Sequence, residues 1–399
     1  MNPLNPFFAV IIYLIAFLTG YIIKSKYNTY PQKGRYECID GMRGFLALAV
    51  FIYHASIWGG FFRSNSWDNN SCLLDSNLYP QFGSTSVTFF FMITSFLFVS
   101  RLLNSNEKGF DWRNFFISRI FRLVPMYYFS VLLMIIIIMF MSQWHLNVSL
   151  SEFFLSIINW LFFTIYKTPY MHNQGFAPYI NNQGFTNLIN FGVEWTLSYE
   201  WLFYFSLPLI SIFILKIKPK IGYIILSVFF ILFFYKVQGV YEYFIYPFIG
   251  GGIAPFLIKY TSFYKKIKDV YASIIILICL FLIIQFNNAH NIYCLLLITI
   301  VFTLIALGAS LFGLLKNSII KFLGEISYST YLLHGILLYT IFDFGFGFEK
   351  IKHFTPFAYC SVIFSITPIL VIISFLGFKY IEKPFIDKAQ AINQKLKTS

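Results

Sequence analysis

The chain has 399 residues, of which 58% are hydrophobic and 11% are charged. Apolar runs of nearly 20 residues recur along it, which excludes an ordinary water-soluble protein and predicts an all-α, multi-pass membrane protein. The net charge of +13 would suggest nucleic-acid binding in a soluble protein. In a membrane protein it reflects Lys and Arg collected in cytoplasmic loops, so no nucleic-acid partner is expected.

Eleven apolar runs are predicted to cross the bilayer as helices. They lie at 5–23, 40–60, 86–103, 124–142, 193–215, 220–236, 241–260, 270–286, 291–312, 325–346 and 357–381. A shorter run at 151–166 starts polar and is predicted to be an interfacial or re-entrant helix. In the first run the basic residues Lys24 and Lys26 follow the apolar stretch, so we expect a retained span rather than a signal peptide.

The distribution of positive charge predicts the orientation of these spans. With the N-terminus outside, 24 of the 29 Lys and Arg residues fall in cytoplasmic segments and five fall outside. This split favours an outside N-terminus and a cytoplasmic C-terminus. The longer outward loop, 143–192, repeats NQGF at 173–176 and 182–185. Its amide and aromatic side chains suit a sugar surface, and an ordinary polar loop explains them equally well.

The stretch DGMRGFLALAVFIYH begins with Asp40 and Arg43 and ends at His54. Ionisable groups within spans are costly and are therefore functional candidates. On an α-helix, Arg43 and His54 point within about 20° of each other and lie about 16 Å apart. Arg43 is expected near the cytoplasmic surface and His54 near mid-membrane. A neutral histidine there could accept a proton, and a structural hydrogen-bonding role is the alternative. Gly41 and Gly44 predict a closely packed neighbouring helix.

An arginine cluster precedes the fourth span. Arg119 and Arg122 are three residues apart and share a helix face, and Arg113 lies nearby. Guanidinium groups bind phosphates through paired hydrogen bonds, which favours a phosphate site. Topology and anionic lipid headgroups explain the cluster equally well. Pro125 is predicted to begin the following helix.

Three further ionisable residues accompany later spans. Glu194 lies at the mouth of the fifth span, and Glu200 lies about two turns inside it, where it needs a partner or a water-filled cavity. His334 is expected about 15 Å from the cytoplasmic end of its helix. Glu382 closes the last span, which Pro384 is predicted to end. We interpret Glu382 as structural.

These segments, in this order, resemble the type-3 acyltransferase family of integral membrane proteins. The motifs are DGMRG with the histidine ten residues beyond its arginine, TFFFMITSFL at 88–97, RIFR at 119–122, WTLSYE at 195–200, GEISYSTYLLH at 324–334 and EKP at 382–384. Each is weak alone, whereas the ordered set is specific. Thr94 and Ser95 stand where the family usually has Ser and Gly, which calls into question the close helix packing at that point.

The resemblance implies a ten-span domain at 35–388 that passes acyl groups, usually acetyl from acetyl-CoA, to hydroxyls of envelope carbohydrates. It leaves 1–34 as an extra N-terminal transmembrane helix with a linker, and 389–399 as a short basic cytoplasmic tail. It also aligns one Arg-x10-His motif and one Arg-x-x-Arg motif of the family, both implicated in acyl-CoA use, with Arg43, His54, Arg119 and Arg122.

The sequence therefore predicts a membrane O-acyltransferase. The candidate catalytic residues are His54, Glu200 and His334, and the candidate acyl-CoA-binding residues are Arg43, Arg119, Arg122 and Asp40. Acyl-CoA is expected as a donor substrate, with no permanently bound cofactor and no metal site. The acceptor is predicted to be a lipid-linked or surface polysaccharide, such as the O-antigen of lipopolysaccharide, at a bacterial inner membrane.

Two other classes compete with this interpretation. A transporter or flippase for a lipid-linked saccharide would also have many spans and buried polar residues, but such folds usually contain inverted repeats. The sequence shows no internal repeat beyond the short NQGF repeat. A membrane scaffold would have no use for ionisable groups inside its spans.

Overall fold

The computed structural model describes most of the chain, and all regular structure within the described part is helical. The NQGF repeats lie outside it. The described residues are 3–27, 36–64, 77–105, 110–145, 149–163, 187–215, 219–238, 241–261, 267–287 and 289–398.

The α-helices follow one another along the chain. They are α1 (Pro6–Tyr27), α2 (Glu37–Ser64), α3 (Leu78–Leu103), α4 (Trp112–Met141), α5 (Leu150–Leu161), α6 (Asn187–Asn190), α7 (Trp195–Leu215), α8 (Ile221–Gln238), α9 (Tyr246–Tyr260), α10 (Asp269–Ile283), α11 (Ile292–Ala306), α12 (Ser318–Glu325), α13 (Ser327–Thr340), α14 (Phe348–Ile351), α15 (Pro356–Gly377) and α16 (Lys383–Thr398). Short 3-10 turns lie at Glu242–Phe244 and Leu314–Lys316, and π-helical turns at Ile341–Phe346 and Phe378–Glu382.

Five stretches of the described chain are both long enough and apolar enough to cross a membrane. They are α1, α2 over Glu37–Gly59, α3, α4 and the helical stretch Pro356–Leu396. Helices α5, α8, α10 and α11 are apolar but shorter. The protein is therefore an all-α, multi-pass membrane protein, as predicted, while the number of eleven spans stays a prediction.

Helix α4 begins about a dozen residues before its predicted span. Asp111 caps it, and Pro125 lies in its interior, so the prediction that Pro125 begins the helix is wrong. An interior proline removes one backbone hydrogen bond, which membrane helices tolerate when neighbouring groups satisfy the freed carbonyl. As a result, Arg119 and Arg122 lie on a regular helix rather than on the approach to one.

The prediction that Pro384 ends the last membrane helix is also wrong. The chain passes from α15 through the π-helical turn into α16, which begins at Lys383 and reaches Thr398. The π-helical turn Phe378–Glu382 lies just before Pro384, so the regular α-helical hydrogen-bond pattern is already interrupted where the proline lacks an N–H. The basic tail predicted at 389–399 therefore continues as helix almost to its end.

Helix α5 occupies most of the run predicted to be an interfacial or re-entrant helix. It begins with a capping box in which Ser149 and Glu152 bind each other's backbone N–H groups. Several large apolar side chains on it are exposed, among them Leu150, Phe154 and Ile158. An amphipathic helix of this kind can lie along a membrane surface, and that location stays a prediction.

The chain divides into two compact units. The first comprises Met1–Ser105, Tyr241–Tyr331 and Phe346–Ser374. In it α2 packs against α3 and α12, α9 packs against α3 and α11, and α10 packs against α11. The second comprises Asn106–Val240, Leu332–Gly345 and Phe375–Ser399. In it α7 packs against α8, and α4 packs against both α5 and α16.

Within the first unit, glycines let the backbones of α2 and α12 touch. A Cβ atom on Gly324 would lie 1.9 Å from the carbonyl oxygen of Asp40. One on Gly41 would lie 2.0 Å from the carbonyl oxygen of Leu315, and one on Gly44 would lie 2.8 Å from a carbonyl oxygen of α12. The close neighbour predicted from Gly41 and Gly44 is thereby confirmed, and glycine is required on both sides of the contact.

A second close contact joins α3 to α9 near Thr94 and Ser95, the two residues that differ from the usual family motif. The Ser95 hydroxyl donates to the carbonyl oxygen of Phe248. A Cβ on Gly251 would lie 2.2 Å from the carbonyl oxygen of Met92. Close packing is therefore kept here, because the glycine lies on the partner helix.

Replacing Gly324 by Ala is expected to lower the Tm of the detergent-solubilised protein, because the new methyl group would collide with the backbone of α2. Overpacking in a core costs about 1–3 kcal/mol. Thermal unfolding followed by circular dichroism measures the effect. Gly222→Ala is the matched control, since nothing lies within 4 Å of its added Cβ. Equal Tm values for the two variants would contradict the contact.

Candidate functional site

Asp40, Arg43 and His54 lie on one uninterrupted helix, α2, as the sequence predicts. All three side chains are half-buried. The helical rise separates Arg43 from His54 by about 16 Å. One helix in the first unit thus presents a guanidinium group and an imidazole group about half a bilayer thickness apart.

The backbone on either side of His54 is fixed by its neighbours within the first unit. The ring of Tyr53 lies 5.0 Å from the His54 ring, centroid to centroid. It also presses on α3, where a Cβ on Gly83 would lie 2.5 Å from it. After the histidine, the Tyr359 hydroxyl donates to the carbonyl oxygen of Ala55. Helix α2 therefore has little freedom to rotate or shift at the histidine.

In the second unit, the structure brings Arg119, Arg122 and Glu200 together around one tyrosine. The Tyr204 hydroxyl donates to Glu200 Oε2 at 3.3 Å, and it accepts a hydrogen bond from the Arg119 guanidinium group. Arg122 is near enough to interact electrostatically with Tyr204. Both arginines and Glu200 are half-buried, whereas Tyr204 is only 2% exposed.

Sequence reasoning missed Tyr204. Its position four residues after Glu200 is a signal that could have found it, because such pairs share a helix face. The arginine partner comes from a helix far away in the sequence, and no local pattern predicts that contact. A buried tyrosine needs a hydrogen-bond partner, and here it joins a base to an acid.

His334, on α13 in the second unit, is completely buried. The Phe191 ring lies nearly parallel to its imidazole ring, with 6.4 Å between centroids and 6° between planes. At the next residue, a Cβ on Gly335 would lie 2.6 Å from the carbonyl carbon of Asn190. The surroundings of His334 are therefore formed in part by the turn that precedes α7.

That turn contains a buried pair which sequence reasoning did not place in the site. Asn190 Nδ2 donates to Glu194 Oε2 at 2.7 Å, and the Gly192 N–H donates to Asn190 Oδ1 at 2.8 Å. Glu194 is completely buried. The spacing of four residues between an amide and an acid is the available signal, and it is weak without knowledge of burial.

The candidate residues thus fall into two groups by unit. Asp40, Arg43 and His54 belong to the first unit, and Arg119, Arg122, Glu200 and His334 belong to the second. Each group combines at least one guanidinium group, a type of group that binds phosphates, with an imidazole group, which transfers protons. Both functions are needed to transfer a group from a phosphate-bearing donor to a hydroxyl.

Similarity to known proteins covers most of the chain. The model of the type-3 acyltransferase family, described as an acyltransferase domain, matches residues 36–377. The protein named "Putative peptidoglycan O-acetyltransferase YrhL" of Bacillus subtilis (strain 168) is 24% identical over 195 residues, which are 47% of this chain and 26% of that protein. The chain therefore spans about a quarter of the length of this curated relative. No solved structure matches the chain.

Replacing Tyr204 by Phe is expected to destabilise the protein by about 1–3 kcal/mol, because Arg119 and Glu200 each lose a hydrogen bond to a buried hydroxyl. Chemical or thermal unfolding in detergent measures the loss. Tyr235→Phe is the control, since it is the same change in the same unit on a side chain that is 66% exposed. If both variants unfold like the wild type, the tyrosine link contributes nothing.

Proposed function

The chain belongs to the type-3 acyltransferase family, and from this we propose that it transfers an acyl group from acyl-CoA to a hydroxyl of an envelope carbohydrate. The acyl group is acetyl in the simplest case. The observation that carries the proposal is the family match over 36–377, with Arg43 and His54 on one continuous helix inside it. Family membership favours an enzyme over the flippase alternative.

The proposed orientation follows from the positive charges. An outside N-terminus puts 24 of the 29 Lys and Arg residues on the cytoplasmic side. The Arg43 end of α2 then faces the cytoplasm, where acyl-CoA is made, and His54 lies deeper in the membrane. The proposed location is the bacterial inner membrane, with residues 35–388 as the acyltransferase domain and 1–34 as an added N-terminal span.

The donor is proposed to bind through arginine. Arg43, Arg119 and Arg122 each offer a planar fork of N–H donors that matches the phosphate oxygens of coenzyme A. The hydrogen bond from Arg119 to Tyr204 limits the orientations open to that guanidinium group. Asp40 lies one turn before Arg43 on α2 and is proposed to orient it. Acyl-CoA is a substrate here and not a resident cofactor.

The proposed chemistry is direct acyl transfer with His54 as general base. The acceptor oxygen attacks the thioester carbonyl carbon while His54 Nδ1 or Nε2 removes the hydroxyl proton. The carbon–sulfur bond breaks, coenzyme A leaves as a thiolate, and the thiolate recovers a proton from the imidazolium group. An ester and free coenzyme A are the products. Holding both substrates in a dry site supplies part of the rate.

Glu200 and His334 are proposed to bind the acceptor or to transfer a proton. Each can accept or donate a hydrogen bond to a sugar hydroxyl or move a proton. An acid and an imidazole group are costly to keep in a spanning region, which makes residues of these types candidates for a function there.

For the acceptor we propose a class of molecule, an envelope carbohydrate. The O-antigen of lipopolysaccharide and peptidoglycan are the two specific candidates, and the name of the curated relative supports peptidoglycan. Both present sugar hydroxyls outside the inner membrane. Mass spectrometry of envelope glycans from cells with and without the gene distinguishes them, because each acetyl ester adds a fixed mass to one glycan and not to the other.

Replacing His54 by Ala is expected to lower kcat about a hundred-fold or more while the KM for acetyl-CoA changes little, because a general base acts in the transition state. Transfer of label from radioactive acetyl-CoA by purified protein in nanodiscs is the measurement. His145→Ala, which changes an exposed histidine, is the matched control. Full activity of the His54 variant would end the proposed role of this residue.

Replacing Arg43 by Lys or Ala is expected mainly to raise the KM for acetyl-CoA, and Ala more than Lys, because a lysine keeps the charge but loses the paired hydrogen bonds. Initial rates over a range of acetyl-CoA concentrations separate KM from kcat. A fall in kcat with unchanged KM would place Arg43 in the chemical step and contradict donor binding.

A further inference from the structure

We propose that the turn formed by Asn190–Glu194, referred to below as the Asn190 turn, is a positioning element that orients the His334 imidazole, with Glu194 as its anchor. This inference rests on the proposed function, in which His334 binds the acceptor or transfers a proton. Glu194 is a positioning residue in this proposal, because it acts on His334 through the Asn190 turn.

The turn is fixed from within by two short hydrogen bonds. Asn190 Nδ2 donates to Glu194 Oε2 at 2.7 Å, and Asn190 Oδ1 accepts from the Gly192 N–H at 2.8 Å. The nitrogen and the oxygen of the Asn190 amide are both engaged, which restricts the orientation of this side chain. Since Asn190 and Glu194 are both buried, water cannot substitute for the bonds between them.

The backbone of the turn is strained at the residue that meets the histidine. Phe191 has a φ of 62°, and Gly192 follows with a φ of 63°. Glycine adopts this region freely, but a bulky residue does so only when its surroundings force it to. Strain of this kind is kept at sites where the surrounding structure holds a group in place for function.

The strained residue and its neighbour make the contacts to α13. The Phe191 ring lies nearly parallel to the His334 ring, within 6°. The backbone of Asn190 lies so close to Gly335 that a Cβ there would be 2.6 Å away. The turn therefore touches two consecutive residues of α13, which sets both the rotation of the helix and the plane of the imidazole ring.

Glu194 holds the Asn190 turn in its observed shape. Its Oε2 holds Asn190, while its Oε1 is buried with no hydrogen-bond partner among the described residues. A buried carboxyl group with an unsatisfied oxygen is costly. Such a cost is understandable if the remaining bond maintains a geometry that the reaction needs.

The first test compares Glu194→Ala with Glu194→Gln in the full-length protein in nanodiscs. The amide oxygen of Gln can still accept from Asn190, whereas Ala cannot. We expect Ala to lower kcat about ten- to a hundred-fold, the size of effect that a small misplacement of a reacting group produces. We expect the pH profile of kcat to shift and the KM for acetyl-CoA to hold, while Gln retains most of the activity. Asp387→Ala, an exposed acid of the same unit, is the control.

A double-mutant cycle shows whether the effect passes through His334. If it does, Glu194→Ala should cause little further loss when it is added to His334→Gln. A full and independent loss in that background would overturn the proposal, as would a Glu194→Ala enzyme with wild-type kcat and pH profile.

Phe191→Gly separates positioning from folding. Glycine takes the observed φ without strain, so the backbone of the turn can keep its shape while the ring that faces His334 is removed. We expect protein that folds and inserts normally but has reduced kcat. Unchanged kcat and an unchanged pH profile in this variant would show that the ring does not orient the histidine.

Imidazole NMR of 15N-histidine-labelled protein tests the positioning independently of activity. The chain has six histidines, and loss of one signal in His334→Gln assigns the resonance. Glu194→Ala should shift that signal, and Glu194→Gln should shift it less. If the wild type transfers no acyl group, the proposed function fails while this measurement still decides the positioning. An unmoved His334 signal in Glu194→Ala overturns the positioning itself.

Discussion

Inside a bilayer no water solvates a guanidinium or carboxylate group, so each such group in a spanning region must meet another polar group of the protein. The second unit contains two contacts between an ionisable side chain and a neutral polar one. Tyr204 joins Arg119 to Glu200, and Asn190 holds Glu194. In both cases a neutral side chain lies beside the acid. Such pairs cost less to bury than isolated charges, and they keep ionisable groups available for chemistry.

The sequence alone predicts the fold class and much of the first group of candidate residues. Long apolar runs are a strong signal, because the bilayer fixes the length that a span must have. Helical periodicity places Asp40, Arg43 and His54 on one helix, and α2 confirms this. Glycine spacing predicts the close contact that α12 makes with α2. All these inferences depend on local geometry, which a single helix determines by itself.

The remaining features depend on contacts between residues far apart in sequence. Tyr204 is visible from the sequence as a neighbour of Glu200, but its bond to Arg119 requires α4 and α7 to pack in one particular way. The positive φ of Phe191 follows from the packing of its turn on α13 and has no signature in its own residue type. The helix ends predicted at Pro125 and Pro384 are wrong for a non-local reason. A proline can stay inside a helix when neighbouring groups satisfy the freed carbonyl or when a π-helical turn lies beside it, and neither condition is visible in the residue itself.

The glycine contacts also determine how the protein can respond to the lipid around it. Helix α2 cannot slide along α12, because a shift of one residue would bring side chains against carbonyl groups that Gly41, Gly44 and Gly324 now leave room for. A thicker or thinner bilayer must therefore be matched by helix tilt or by deformation of the lipid. The separation of His54 from Arg43 is set by helix α2 itself. In the proposed orientation, hydrophobic mismatch therefore changes the distance from this histidine to the headgroups without changing its distance from Arg43.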